Sequence, residues 1–181
     1  MVMSSKNFSI YVASLPDYNA GILYGSWINL EDCEDLEDLQ NCVFNILAES
    51  PTAKKEGRKT AEEFAIHDFE GFPEGIISEN SSLSEVWQIY EEFMQAKEED
   101  NLEAFEVYAS EFDDINYQNF LDKYCGCFES EEDFAESLLQ ETGLFKDIDP
   151  VLERYFDYEA YARDLFMGDY AFISGYVFSS Y

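Results

Sequence analysis

The stretch "NFSIYVASLPDYNAGILYGSWINL" (residues 7–30) decides the fold at the amino-terminal end of the chain. Its two ends, 7–14 and 21–30, are rich in Ile, Val, Tyr and Trp, a composition typical of strands. The segment between them contains residues typical of turns, namely Pro16, Asp17, Asn19 and Gly21. The pattern therefore predicts a β-hairpin.

The residues that follow predict a helix and a third strand. Apolar positions recur at helical spacing from Leu36 to Leu47. Residues 50–61, with Pro51 and Gly57, have the composition of a loop, and 62–69 are apolar at nearly every position, which indicates a strand. We therefore expect a small antiparallel sheet with one helix as a first domain, residues 1–80.

The middle of the chain, residues 81–119, has helical periodicity throughout. Ser82 and Glu85 have the spacing of a capping box, which predicts a helix start. Two shorter helices are predicted after this one, the first around Phe105 and the second from Asp114 to about Leu121. These segments predict a small helical bundle as a second domain.

The last segment, residues 120–181, predicts a mixed domain. The composition of 123–128 ("KYCGCF") favours a strand, and 128–143 predicts a helix that ends at Gly143. Two further helix starts are indicated at Asp149-Pro150 and Asp157, and 170–181 predict a strand or a tight hairpin. The fold class is therefore α+β, with three small domains.

The charge of the chain is strongly acidic and unevenly placed. Its 181 residues carry 40 acidic and 10 basic side chains, a formal net charge of −30. Residues 60–145 hold 24 acids and two bases, whereas 54–59 ("KKEGRK") hold four bases and one acid. Such a field repels nucleic acid and anionic membrane and attracts basic surfaces.

The stretch 128–143 ("FESEEDFAESLLQETG") illustrates this acidity, with six acids and no base. At about 100° per residue, the acids fall on one stripe and the apolar residues roughly opposite. The predicted stripe consists of Glu129, Glu132, Asp133 and Glu136. A surface helix explains why the acids lie opposite the core. It does not explain why no lysine or arginine offsets their negative charge.

The sequence gives little indication of catalysis. His67 is the only histidine, and strand alternation predicts that it and Asp68 lie on opposite faces, so a metal site is not expected. A glycine-rich phosphate loop and Ser-His-Asp or Cys-His patterns are missing from the sequence. With 40 acids, any single carboxylate pair is uninformative. We therefore expect a protein that is not an enzyme and has no cofactor.

The start of the sequence lacks the pattern of a signal peptide, and no apolar run approaches the ~20 residues of a membrane helix. We therefore expect a cytoplasmic protein with reduced thiols at Cys33, Cys42, Cys125 and Cys127. Stacking of nucleic-acid bases needs a basic groove, which is missing here. We expect neither nucleic acid nor membrane as a partner.

The acidic helix faces allow three interpretations. Thirty net charges equal those of about 50 Å of duplex DNA, or about 15 base pairs, so the chain has the charge of a DNA mimic. Carboxylates and phosphates both accept bidentate arginine, so a DNA-binding groove can accept either. The alternatives are an acidic decoy for another basic DNA-binding protein, such as a nucleoid-associated protein, and a plain acidic domain, either adapted for solubility or salt or serving as an interaction module.

Three stretches resemble the ArdA family of antirestriction proteins, and the resemblance covers nearly the whole chain. They are "IYVASLPDYNAGILYGSWINL", "EEFAIHDFEGFP" and "LERYFDYEAYARDLFMGDYAFI", and "ESEEDFAESLLQETG" also fits. The resemblance implies an elongated homodimer of three small domains per chain, with the dimer contact in 120–181. It also implies mimicry of B-form DNA against Type I restriction–modification enzymes, without catalytic residues.

Fifteen clustered acids are the candidate partner-binding residues, each expected to take the place of a phosphate in the groove of the methyltransferase core. They are Glu85, Glu91, Glu92, Glu98, Glu99, Asp100, Glu103, Glu106, Glu111, Asp113, Asp114, Glu129, Glu132, Asp133 and Glu136.

Overall fold

A computed structural model describes residues 6–146 and 154–180. Two small three-stranded antiparallel sheets and the helices around them make an α+β fold, which confirms the predicted class. The described chain forms two compact units, one up to Leu102 and one from Glu103. The three-domain division, with boundaries after residues 80 and 119, stays a prediction.

The first unit contains a sheet in the order β2-β1-β3. The predicted hairpin and third strand are confirmed, although the strands are shorter than predicted. The elements are β1 (Ser9–Ser14), α1 (Leu15–Asn19), β2 (Gly25–Asn29), α2 (Leu36–Ala48), α3 (Pro51–Lys55), β3 (Phe64–Glu70) and α4 (Leu83–Glu98).

The central strand β1 supplies much of the core of this sheet, because all of its residues except Tyr11 are buried. Ile10 and Val12 are fully buried, and Ile10 pairs in register with Ile28 of β2. The helix α2 packs on the sheet through its own buried stripe of Leu39, Val43 and Leu47. Asp35 caps this helix, because its side chain accepts a hydrogen bond from the backbone N–H of Asp38 at 2.9 Å.

Two segments predicted as turn and loop contain short helices. Residues 15–21 include α1, with Pro16 near its start, and the predicted loop 50–61 includes α3, which starts at Pro51. Proline disfavours a helix interior but is tolerated in the first turn, so both are compatible with helix starts. The sequence patterns of these five-residue helices resemble those of turns.

A buried carboxylate joins these two helices. Asp17 accepts hydrogen bonds from the Ser14 hydroxyl at 2.6 Å, from the Ser50 hydroxyl and from the Thr52 backbone N–H at 2.7 Å. Burial alone would raise the pKa of Asp17, but these hydrogen bonds stabilise the charged form and lower its pKa to about 2. This network fixes the position of α3 against α1.

The second unit contains a sheet in the order β4-β6-β5. Its elements are α5 (Leu102–Phe112), which starts at the unit boundary, α6 (Tyr117–Lys123), β4 (Tyr124–Cys127), α7 (Glu131–Thr142), α8 (Tyr158–Phe166), β5 (Tyr170–Ile173) and β6 (Tyr176–Ser179). The strand predicted in "KYCGCF" and the tight hairpin at the carboxyl end are therefore confirmed.

Aromatic packing holds this unit together. The Phe105, Tyr108 and Phe120 side chains are fully buried, and Tyr108 contacts Phe178 of β6 with ring centroids 5.7 Å apart. These aromatic residues therefore form the core of the second unit.

Helix ends agree with the capping residues found in the sequence. Gly143 ends α7 in the left-handed conformation with φ 66°, and Asp157 caps α8 through the backbone N–H of Ala160 at 2.9 Å. The predicted third helix begins at Tyr117 rather than Asp114, because Asn116 is its N-cap. The predicted start at Asp149-Pro150 lies outside the described residues.

The four cysteines are free thiols. Within residues 6–146 and 154–180, every helix is too short or too polar to cross a bilayer.

Candidate partner-binding surface

The acidic face of α4 begins at its N-terminus, where the predicted capping box is present. The backbone N–H of Glu85 donates to the Ser82 hydroxyl at 3.2 Å, and the backbone N–H of Ser82 donates to the Glu85 carboxylate at 2.7 Å. Hydrogen bonds from Ser82 lower the pKa of Glu85, the backbone N–H having the largest effect. Glu85 is exposed, but its carboxylate is also part of the helix start.

Along α4, neutral donors alternate with carboxylates on one stripe. The Trp87 indole N–H donates to Glu91 at 3.0 Å, and the Gln95 amide donates to Glu99 at 3.3 Å. Glu91 and Glu99 lie eight residues apart, about 12 Å along the axis. Because the donors are uncharged, they orient the two carboxylates without cancelling their charge.

The buried side of α4 fixes this stripe in space. Val86, Phe93 and Ala96 are fully buried, and Phe93 packs against Phe72 with centroids 5.4 Å apart. In an amphipathic helix the apolar stripe packs on the core and the polar side chains lie on the opposite face. The exposed carboxylates of α4 are therefore presented on a fixed scaffold.

Asp114, one of the fifteen predicted acids, has a structural role just after α5. Asp114 accepts hydrogen bonds from the Tyr108 hydroxyl at 2.8 Å, from the backbone N–H of Asn116 at 3.0 Å and from the Asn119 amide at 3.0 Å. Burial opposes ionisation, but these hydrogen bonds outweigh it and lower the pKa of Asp114. Asp114 thus connects the buried Tyr108 to the start of α6.

The acids at the start of α7 differ from the predicted helical stripe. Glu129 precedes the helix, because Ser130 is the N-cap and its hydroxyl accepts from the Asp133 backbone N–H at 3.1 Å. The backbone N–H of Glu129 in turn donates to the Asp133 carboxylate at 3.2 Å. The expectation that all four acids share one helical stripe is therefore wrong for Glu129.

Further along α7, Glu136 follows the pattern seen on α4. The Gln140 amide donates to its carboxylate at 3.3 Å. Phe134, Ala135 and Leu139 form the buried side of the helix, so the predicted amphipathic character is confirmed.

A groove of about 560 Å³ lies between the start of α7 and α8. Its charged lining residues are Glu129, Glu131, Glu132, Glu159 and Arg163. Neither Glu131 nor Glu159 belongs to the predicted set. Helical periodicity places Glu131 off the stripe, and the proximity of Glu159 depends on tertiary packing that no local pattern records.

None of the fifteen predicted acids is buried. Glu92, Glu106 and Asp114 are half-buried, and the others are exposed, namely Glu85, Glu91, Glu98, Glu99, Asp100, Glu103, Glu111, Asp113, Glu129, Glu132, Asp133 and Glu136. Glu103 also accepts a hydrogen bond from the Tyr176 hydroxyl at 3.4 Å. Asp100 and Asp113 have positive φ, at 59° and 51°, and lie just beyond the ends of α4 and α5.

The surroundings of His67 differ from the prediction. The register of β1 against β3 shifts between Tyr11 and Val12, so that Asp68 pairs with Tyr11 and Ile66 pairs with Val12. This bulge interrupts the alternation, and His67 and Asp68 are both exposed. Among the described residues, no three His, Cys, Asp or Glu side chains are grouped to hold a metal ion.

Comparison with known proteins identifies the class. A family model described as antirestriction protein (ArdA) matches residues 10–178. The chain therefore belongs to the ArdA family of antirestriction proteins. No curated protein matches it.

Membership of this family establishes the function in general terms. The protein is an antirestriction protein, and the family is known for inhibition rather than for catalysis. Because the family acts on restriction enzymes, the expected partner is a protein.

Proposed function

We propose that this antirestriction protein mimics B-form DNA and occupies the DNA-binding groove of a Type I restriction–modification enzyme. Its carboxylates bind the arginine and lysine side chains that otherwise grip phosphates. Binding at the methyltransferase core blocks restriction, and it blocks modification too where both activities need the same groove.

The alternation of carboxylates with neutral donors on α4 carries this proposal. A surface selected only for solubility gains nothing from oriented carboxylates, whereas a mimic needs charges at fixed positions. The hydrogen bonds from Trp87 and Gln95 provide that orientation and leave the negative charge in place. The same arrangement at Glu136 extends the pattern to α7.

The fifteen acids divide into two groups within this function. Glu85, Asp114 and Asp133 hold helix starts through hydrogen bonds to backbone N–H groups, so they fix the geometry of the surface. We assign direct contact with the partner mainly to the other twelve. Because the binding free energy is distributed over many contacts, no single acid is essential for binding.

The protein acts as a cytoplasmic homodimer of three-domain chains, with the dimer contact in residues 120–181. Two copies would match the charge of about 30 base pairs of duplex. In light scattering we expect twice the chain mass of 21.0 kDa. A mass near that of one chain at micromolar concentration would contradict the dimer.

A competition experiment tests the mimicry. A labelled duplex with the recognition sequence is bound to a Type I methyltransferase core, and the purified protein is added. We expect the protein to displace the duplex and, in the absence of the enzyme, to leave its gel mobility unchanged. A gel shift of free duplex by the protein would rule the proposal out.

A pull-down from cells that contain a Type I system separates the mimic from the acidic decoy. Recovery of the methyltransferase core supports the proposal. Recovery of a nucleoid-associated protein without the core would favour a decoy for another basic protein.

A further inference from the structure

The outer face of the first sheet carries a row of aromatic and acidic residues. Trp27 of β2 pairs in register with Tyr11 of β1, and Tyr11 pairs with Asp68 of β3. Residues paired across strands project from the same face of a sheet. Ile10 and Val12, the neighbours of Tyr11 on β1, are fully buried and belong to the opposite face.

The rings of this row are held in place yet accessible. Tyr11 and Trp27 meet edge to face with centroids 5.6 Å apart, and the side chain of Trp27 is 43% exposed. Tyr18, which is 50% exposed, packs edge to face on His67 beside Asp68, with centroids 4.8 Å apart. Tyr and Trp combine a large apolar ring with a polar group and are enriched at protein interfaces, so these exposed rings offer a contact surface to a partner.

Carboxylates stand next to these rings. Asp68 is exposed directly across from Tyr11, and Glu70, two residues further along β3, is exposed across from Ser9. A ring face attracts cations, and a carboxylate beside it neutralises the same cation. Elsewhere the chain uses this attraction internally, because the Lys97 ammonium lies 5.4 Å from the Phe8 ring centroid.

We propose that this face binds arginine side chains of a basic protein partner, with the guanidinium stacked on Trp27 and Tyr11 and paired with Asp68. Arginine fits better than lysine, because its planar and weakly hydrated guanidinium stacks on rings while it donates to a carboxylate. Asp68 and Glu70 disfavour the phosphates of a nucleic acid. A second copy would bring the same acids against each other.

This inference goes beyond DNA mimicry. The face lies on the sheet and contains none of the fifteen acids, and its chemistry does not depend on which basic protein is the partner. It would add a contact based on stacking to a surface that otherwise works through charge.

Binding at this face can be measured by fluorescence, because the chain has only two tryptophans and one of them, Trp27, lies on the face. In the Trp87→Phe variant, Trp27 is the only tryptophan, and we titrate it with oligoarginine and oligolysine peptides of equal length. We expect the arginine peptide to change Trp27 emission at about threefold to tenfold lower concentration than the lysine peptide. Equal concentrations for both peptides would overturn the proposal, because diffuse attraction to the acidic chain does not distinguish them.

Two matched variants control this result in the Trp87→Phe background. Asp68→Asn should remove most of the preference for arginine, whereas Glu37→Gln, which changes an exposed acid on α2, should leave it unchanged. Equal losses in the two variants would show that only net charge matters and would overturn the proposal. In light scattering without peptide, a dimer that dissociates on Trp27→Ala would show that a second copy covers the face, and would also overturn it.

Discussion

Asp17 and Glu91 are both carboxylates that accept hydrogen bonds from neutral donors, yet their surroundings are opposite. Asp17 is buried, and its donors come from Ser14, Ser50 and Thr52 on two different helices and their flanks. Glu91 is exposed and accepts one hydrogen bond from Trp87 on its own helix. The first carboxylate holds α1 against α3, and the second leaves its negative charge exposed on the surface.

The number of acidic residues therefore overestimates how many carboxylates are available to a partner. Some of the 40 acids are used to position backbone and hydroxyl groups. The environment of each carboxylate, rather than its type, decides whether substitution affects stability or binding. The two effects can be separated by experiment.

The largest effect is expected from Asp17→Ala, on stability. The substitution leaves two buried hydroxyls and a backbone N–H without their acceptor, which costs about 3 kcal/mol of the free energy of unfolding. Urea denaturation followed by circular dichroism measures the loss. Glu91→Gln is the matched control and should change stability by less than about 0.5 kcal/mol. Similar losses of stability in both variants would show that Asp17 and Glu91 do not differ in their importance for the fold.

The next effect is the pH dependence that Asp17 gives to stability. Its pKa is lowered from 3.8 to about 2 in the folded protein. The folded state therefore gains stability above pH 4 that is lost as the pH falls toward 2, amounting to about 2 kcal/mol.

The Asp17→Asn variant isolates this contribution, because both proteins share the repulsion among the exposed acids. The difference in unfolding free energy between wild type and variant should shrink by about 2 kcal/mol between pH 5 and pH 2. A difference that is constant with pH would show that Asp17 has an ordinary pKa.

Local patterns in the sequence predict much of this fold. Ser82 and Glu85 predict the start of α4, Gly143 predicts the end of α7, and Asp157 predicts the start of α8; all three are confirmed. Each is a short-range signal, in which a side chain satisfies backbone groups a few residues away. The strands of the first sheet are confirmed for a similar reason, since their β-branched, aromatic and apolar composition is also a local signal.

The parts that the sequence does not predict depend on contacts between distant residues. Asp17 looks like a turn residue, and its hydrogen bond to Ser50 joins segments 33 positions apart. The bulge that exposes both His67 and Asp68 arises from the pairing with β1. Glu159 reaches the groove beside Glu132 only through the packing of α8 on α7.

A smaller effect is expected for binding when the exposed acids of α4 are neutralised. The change Glu91→Gln, Glu98→Gln, Glu99→Gln and Asp100→Asn should weaken displacement of duplex from the enzyme by at least about tenfold, or about 1.4 kcal/mol. Asparagine suits the positive φ at position 100, so the fold should be kept. Each single change should cost less than about threefold, since exposed ion pairs contribute little one at a time.

The competition assay used for mimicry measures this series, with unfolding by urea as the control for stability. If one single change abolished displacement, a localised site would replace the distributed surface. If the fourfold variant displaced duplex as well as the wild type, the acids of α4 would have no part in binding.

The smallest effect on binding is expected from substitution of a neutral donor. It tests whether an uncharged donor is needed at this position because a basic one would neutralise the neighbouring carboxylates. Gln95→Ala removes the hydrogen bond to Glu99 but leaves the carboxylate charged, so displacement should weaken by less than about twofold. Gln95→Lys keeps a donor at the same position but adds a positive charge four residues from both Glu91 and Glu99. Such pairs stabilise a helix by about 0.2–0.5 kcal/mol, so the fold should be unharmed. The same pairs compete with the arginine and lysine side chains of the partner, so displacement should weaken by about threefold, more than for Gln95→Ala.

Competition assays on the two variants at the same ionic strength give the comparison. If Gln95→Ala weakened displacement more than Gln95→Lys, the orientation of Glu99 would matter more than its charge. A third group of carboxylates, whose effect on binding depends on a fixed orientation, would then have to be distinguished from those that hold the fold and those that only contribute charge.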